Sequence, residues 1–197
     1  MPRAKPAPRR QRNAAATREA ILQSARQAFA QAGYAGAGVR EIARGAGVTA
    51  MLVNRYFGSK ERLFAEAIAA SMATTGVLAP QIVSGSVSGK EIAAALVGIT
   101  QADAAPLEGF QIMLRSAASE SAARIGREQV ERHHQKHIAA ALPGALAEQR
   151  AGVILSLIVG FQLMRQMLEL RALAKADASA LVKVLAPIFD QLLKGRG

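Results

Sequence analysis

Three stretches of this chain carry residue types at spacings that could do chemistry. Gly85-Ser-Val-Ser-Gly-Lys-Glu91 has the outline of a phosphate-binding loop. Such a loop needs four residues between its glycines, and a Ser or Thr after the Lys to hold magnesium. Here three residues separate Gly85 from Gly89, and Glu91 stands where the hydroxyl belongs, so the stretch reads as a linker. Glu131-Arg-His-His-Gln-Lys-His137 sets His133 and His137 at i, i+4, a spacing that can bind zinc. No third ligand accompanies them, and Arg132 and Lys136 would repel a cation, so a solvated face is the better reading and no metal is expected.

The third stretch is Val39 to Leu63, VREIARGAGVTAMLVNRYFGSKERL. Val39, Ile42, Ala43 and Ala46 recur at helical spacing and give a short amphipathic helix. It stops at Ala46-Gly47, where glycine takes the left-handed geometry of a helix end without steric cost. Thr49 then caps a second helix from Ala50 to Phe57. Two short helices around a glycine turn form the helix-turn-helix unit, whose second helix enters the major groove of DNA. An ordinary helical hairpin has the same spacing, and the charge distribution separates the two. Residues 1–60 hold 11 Lys and Arg against two acids, net +9 of the chain's +11. The positive excess lies on the segment that holds the hairpin, as a nucleic-acid face requires.

From Thr17 to about Ala70 the chain resembles the N-terminal domain of the TetR family of transcriptional regulators. The resemblance rests on TREAILQSARQAFAQ, the break at Gly33-Tyr34, VREIARGAGV, the short helix ending RYF, and GSKERLF, in that order. It implies an operator-binding helix presenting Ala50, Met51, Leu52, Asn54 and Arg55 after the capping Thr49, with Tyr56 and Lys60 placed for phosphate and Arg40 touching DNA from the preceding helix. Many members have Lys-Gly-Thr-Leu-Tyr where this chain has Ala50-Met51-Leu52-Val53-Asn54, so two usual phosphate contacts are missing. Ala50, Met51 and Leu52 are then left to meet thymine methyls, and Asn54 to read adenine.

The remainder of the sequence is all-α in pattern. Hydrophobic residues make up 51% and aromatics only 4%, which favours closely packed helices over a β-sandwich. There are no cysteines, which excludes disulfides, thiolate metal sites and a Cys nucleophile and is compatible with a reducing cytoplasm. The apolar run Val153–Met164 is too short to span a bilayer, which takes about 20 residues, and no membrane is expected. No nucleophile elbow, dinucleotide fingerprint or acid/base pair stands out, so neither an enzyme nor a cofactor is expected.

Residues 1–16, with three prolines and five basic residues, read as a disordered basic arm. The DNA-binding domain is expected over 17–75, with Thr17 capping its first helix and Ile21, Ala25 and Phe29 facing the core. A helical effector-binding and dimerisation domain is expected over 76–197, with helices near 90–100, 106–119 and the 120s to Leu142, then two long ones at 146–173 and 178–193. These last two are apolar around much of their circumference, which calls for burial on several sides. Val153, Leu157, Gly160, Met164 and Met167 on the one, with Leu181, Leu185, Ile188, Phe189 and Leu192 on the other, are the expected dimer face. The resemblance implies the same, a four-helix bundle formed from two subunits. Phe110, Met113 and Leu114, with Phe161, Gln162 and Arg165 on the helix that packs near them in the family, are the expected lining of an effector pocket. Few charges fall on these faces, which predicts an apolar or weakly polar effector.

The expected function is a homodimeric repressor released from palindromic operator DNA by a small molecule. Two other classes remain compatible with the sequence: a sequence-independent DNA-binding protein, favoured by a pI near 11.0, and a small-molecule-binding protein that has lost DNA specificity.

Overall fold

The computed structural model describes residues 9–74, 87–101 and 108–195. Every regular element among them is helical. They form two compact units, one of residues 1–71 with 111–126 and the other of 72–110 with 127–197.

In the first unit α1 (Arg9–Gly36) is the axis, and Ile21, Ala25 and Phe29 along one side of it are fully buried. Helices α2 (Val39–Gly45), α3 (Ala50–Phe57) and α4 (Lys60–Thr74) complete the unit's core with Ile42, Ala43, Val53, Phe57, Leu63, Phe64 and Ile68. The Phe29 and Phe64 rings meet edge to face at 5.0 Å, a favourable arrangement of their quadrupoles. Ser24 Oγ donates to the Ile42 carbonyl at 2.8 Å and fixes α2 against α1. The Arg18 guanidinium lies 4.8 Å from the centre of the Phe57 ring and pairs with Glu66, so one side chain of α1 ties both α3 and α4.

The start of α1 differs from expectation. Residues 1–8 of the expected arm lie outside the described residues, and from Arg9 the chain is already helical. Thr17 Oγ1 donates to the Asn13 carbonyl at 2.8 Å, one turn earlier, and is therefore inside the helix rather than at its cap. The prolines that argued against helix stop at Pro8, and the Ala- and Arg-rich stretch after it has good helix propensity. The expected break does occur. Gly33 takes φ +67°, and the short segment from Tyr34 to Gly36 continues at an altered angle.

Helix α5 (Gly89–Ile99) opens the second unit with a capping box, Ser88 accepting from the Glu91 N–H while Glu91 accepts from the Ser88 N–H. Of the expected linker, 85 and 86 lie outside the described residues, and Ser88-Gly89 is a helix start. Helix α6 (Glu108–Ser116) is followed by α7, which runs as Glu120–Val130, a π-helical turn Glu131–Gln135 and Lys136–Ala141. Helix α8 comprises Ala147–Gln162 and a second π turn, Leu163–Met167. Then come the short α9 (Arg171–Ala174) and the long α10 (Ala178–Lys194).

The expected unbroken helix from 146 to 173 ends instead at Met167. Bonds reaching back five residues widen the last turn, with Leu168 N–H donating to the Leu163 carbonyl at 3.0 Å, and Glu169 then takes φ +49°. Apolar periodicity continues past this point, but the backbone does not follow it.

Helix α10 packs along α5. Gly89 permits the crossing, because a Cβ there would lie 2.5 Å from the Asp190 backbone nitrogen. Its N–H donates to Asp190 Oδ1 at 2.8 Å, so the carboxylate covers the positive end of α5. Arg150 on α8 reaches the Leu192 carbonyl at 2.9 Å, in the last turn of α10 where acceptors are left open, and also the loop carbonyls of Pro143 and Ala145. The core between these helices holds Ile92, Leu96, Val97, Ile138, Ile154, Phe161, Leu181, Leu185 and Phe189.

Candidate nucleic-acid interface and effector site

The turn between α2 and α3 is built as the sequence predicts. Gly47 has φ +67°, and the Val48 N–H reaches back to the Ala43 carbonyl at 2.9 Å, which closes α2. Thr49 in extended geometry then starts α3, its Oγ1 accepting from the Leu52 N–H at 3.4 Å. Gly58, φ +79°, ends α3 one residue after Phe57, and Ser59 Oγ accepts from the Arg62 N–H to start α4.

With both ends fixed, only one orientation of α3 buries its apolar side. Val53 and Phe57, four residues apart, point into the core. The opposite side must then carry Met51, Asn54 and Arg55, and all three are exposed. Met51 is 80% exposed, a large apolar side chain held out in water with nothing of this unit to cover it. Ala50, Leu52 and Tyr56 lie at the flanks and are partly covered. Arg40 is exposed in the first turn of α2, and Arg44, one turn later on the same side, is exposed as well. Arg44 was legible only as one of many N-terminal basic residues, and the structure distinguishes it by its place above Arg40.

Lys60 is half-buried, with Nζ 4.7 Å from the centre of the Tyr34 ring. Tyr34 Oη donates to Glu61 Oε1 at 2.9 Å. Burial, then the Glu61 hydrogen bond and charge, push the Tyr34 hydroxyl up to about 12, so it stays a proton donor at neutral pH. The Glu61 carboxyl is held below its ordinary value by its own backbone N–H, the Ser59 hydroxyl and Tyr34. The cation at the start of α4 is therefore oriented by an aromatic face, and Tyr34 has a role that the sequence indicated only as a helix break.

The residues expected around an effector divide between the two units. Met113, half-buried, and Leu114, 38% exposed, belong to the first. Phe110, Phe161, Gln162 and Arg165 belong to the second. Phe110 is half-buried, while Phe161, Gln162 and Arg165 are buried. The Arg165 guanidinium lies 5.8 Å from the centre of the Phe161 ring, and burial depresses its basicity.

The residues expected at a subunit interface also divide. Leu181, Leu185 and Phe189 turn inward and fill the core beside α5, where Phe189 is fully buried. Leu157, Gly160, Met167 and Leu192 are half-covered. Val153, Met164 and Ile188 are 47%, 41% and 40% exposed, and Val184, on the outer side of α10, is 66% exposed. No described helix is long and apolar enough to cross a membrane.

Likeness to known proteins agrees with this geometry. The family model for bacterial regulatory proteins of the tetR family matches residues 21–67, and the model for the tetracyclin repressor-like C-terminal domain matches 88–193. None of the curated proteins is a match. Among solved structures, a TetR-family regulator from Streptomyces coelicolor A3 is 23% identical, with 91% of this chain and 95% of that one covered at a TM-score of 0.58. The multidrug binding protein EbrR, complexed with malachite green, is 17% identical over 89% of this chain and 97% of that one, TM-score 0.64. The regulator FadR from Bacillus subtilis, in complex with stearoyl-CoA, is 16% identical over 91% and 99%, TM-score 0.58. At these identities the likeness is one of fold. With the two family models together spanning most of the sequence, the chain belongs to the TetR family of bacterial regulatory proteins and is a DNA-binding transcriptional regulator.

Proposed function

We propose that the protein is a homodimeric cytoplasmic repressor that binds a palindromic operator through α3 and is released by an apolar or weakly polar small molecule held in its C-terminal helices. The observation that carries DNA reading is the outward face of α3. Met51, Asn54 and Arg55 are exposed together because Val53 and Phe57 are buried opposite them. Asn54 is the residue of that face able to bond an adenine edge bidentately, and Met51 offers an apolar contact to a thymine methyl. Arg40, Arg44 and Lys60 supply phosphate contacts around it.

Two α3 helices must be tethered about one helical turn of DNA apart, roughly 34–36 Å, to occupy successive major grooves. The dimer reading is supported by the exposed Val153 and Met164 on α8 and Val184 and Ile188 on α10. It is supported also by Gly152 and Gly160, where a Cβ would meet nothing within 4 Å and a second backbone has room to approach. Release by a small molecule is supported by the buried polar pair Gln162 and Arg165, and by two proteins of this fold solved with bound small molecules, malachite green in EbrR and stearoyl-CoA in FadR. The effector acts by binding the DNA-competent state less well than the alternative.

A retardation assay with DNA from upstream of the protein's own gene tests this reading. A single slow complex that survives excess unrelated DNA is expected. Equal competition by unrelated DNA would identify a sequence-independent binder instead.

A further inference from the structure

Arg165 sits inside the π turn of α8 and is 5% exposed, and Gln162, at the entry to that turn, is 2% exposed. Both therefore face inward. Arg165 Nη1 donates to the Val97 carbonyl at 2.7 Å and to Thr100 Oγ1 at 3.0 Å. Thr100 Oγ1 spends its own proton on the Leu96 carbonyl at 2.7 Å, so its lone pair is fixed toward the guanidinium. These bonds cap the C-terminal end of α5 and hold one end of the guanidinium still. They do not use its other edge. Nε is buried without a hydrogen-bond partner, Nη2 makes no bond to any described residue, and the amide nitrogen of Gln162 is buried and unpartnered as well. No carboxylate pairs with Arg165 among the described residues. The neighbours Val97 and Phe161 are apolar and belong to the core.

A guanidinium cannot shed its proton at physiological pH, so burial without a counter-ion is unfavourable and a purely structural cap would be better made by a neutral donor. The unused edge, Nε with Nη2, is the fork that receives a carboxylate bidentately. Gln162 adds one further donor. One positive charge among apolar groups balances one negative charge, which suits a monocarboxylate and leaves a phosphate monoester over-charged and short of donors.

We propose that Arg165 and Gln162 are the head-group site for an effector that carries a single carboxylate on an apolar body. This rests on the reading of the protein as an effector-released regulator; it keeps the apolar body of that effector and replaces its weakly polar part with a charged head group. Thr100 positions the guanidinium, and the π turn of α8 places it inward, a role in which such turns recur at binding sites.

The test is calorimetric titration of the full chain with octanoate, dodecanoate and 4-phenylbutyrate, each beside its neutral primary alcohol and its phosphate monoester. At least one carboxylate should bind tenfold or more tighter than both its alcohol and its phosphate. Arg165→Met should reduce that preference below threefold, chiefly by weakening the acid. Gln162→Leu, which keeps the cation and its cap on α5, should weaken the carboxylate three- to tenfold more than the alcohol; it carries the test should Arg165→Met fail to fold. Equal binding of acid and alcohol, preference for the phosphate, no binding by any of the acids, or a preference that survives both substitutions would overturn the assignment. Retardation of upstream DNA with the same compounds separates this from the broader reading. A tightly bound carboxylate that leaves the complex intact removes effector release and keeps the site. Release by acid and alcohol alike keeps effector release and removes the site.

Discussion

The Tyr34 backbone N–H donates to Ser116 Oγ at 2.9 Å, across 82 residues of sequence. The break in α1 at Gly33 leaves this N–H without its helical acceptor, and the last residue of α6 provides one. Arg115 reinforces the joint by donating from Nη1 to the Gln31 carbonyl at 3.2 Å. Gly33 allows the approach, since a Cβ there would fall 2.9 Å from the Arg115 carbonyl carbon and closer still to its oxygen. Gly33→Ala should therefore destabilise the protein by on the order of 2–4 kcal/mol, combining left-handed strain with a backbone clash. Ser116→Ala should cost about 1–2 kcal/mol by leaving a backbone donor unpaired. Urea unfolding monitored by circular dichroism measures both, and a neutral Gly33→Ala would show that the joint is not close-packed.

Asn54→Ala should weaken binding to the cognate operator by roughly 1–3 kcal/mol and relax preference at one base pair per half-site. Affinities for a set of single-base operator variants check this. A parallel loss across every variant would make Asn54 a backbone contact.

Lys60→Ala should weaken binding to all DNA sequences about equally and lower the salt slope by about one phosphate's worth. The Tyr34 ring holds the ammonium in place beforehand, so Tyr34→Leu should reproduce part of the loss although Tyr34 is not expected to touch DNA. Binding measured at several salt concentrations decides both points.

Ile188→Glu and Val184→Glu should split the dimer while leaving each chain folded, because both side chains are exposed in the single chain. Phe189→Glu should instead unfold it, since that ring is fully buried. Light scattering together with circular dichroism distinguishes the outcomes, and a wild-type chain that is monomeric at micromolar concentration would remove the dimer.

His134 is half-buried, and burial first, then the charges of His133 and His137, hold its pKa below the ordinary 6.5. The unfolded chain then binds a proton that the folded one resists, so stability falls as pH drops below about 6.5 and stops falling once the folded group also titrates. His134→Gln should flatten the acid side of a stability–pH curve measured by urea unfolding between pH 5 and 7.5. An unchanged slope would assign the acid sensitivity to other groups.

What the sequence made legible was local. The Gly47 turn, the Thr49 cap and the extent of α3 follow from residues within a few positions of one another, and the inward pair Val53 and Phe57 follows from periodicity. The break at Gly33-Tyr34 was visible, but its acceptor at Ser116 was not, because nothing local links them. Periodicity showed α10 to be apolar on more than one side without telling which side was the core. The structure turns Leu181, Leu185 and Phe189 toward α5 and leaves Val184 and Ile188 outside. The π turn that places Arg165 inward has no local signature in Leu163–Met167, and the unused edge of the guanidinium depends on Val97 and Thr100, far away in sequence.

The proposed function stands or falls on whether the outward face of α3 reads a specific operator as one half of a symmetric pair. Nuclease footprinting of the DNA upstream of the protein's own gene, at physiological salt and with unrelated competitor DNA, tests it most directly. One protected palindrome with half-sites about one helical turn apart is expected, both halves of which need more protein for protection with Asn54→Ala. Protection spread evenly along the fragment, or a protected site that Asn54→Ala leaves unchanged, would contradict it.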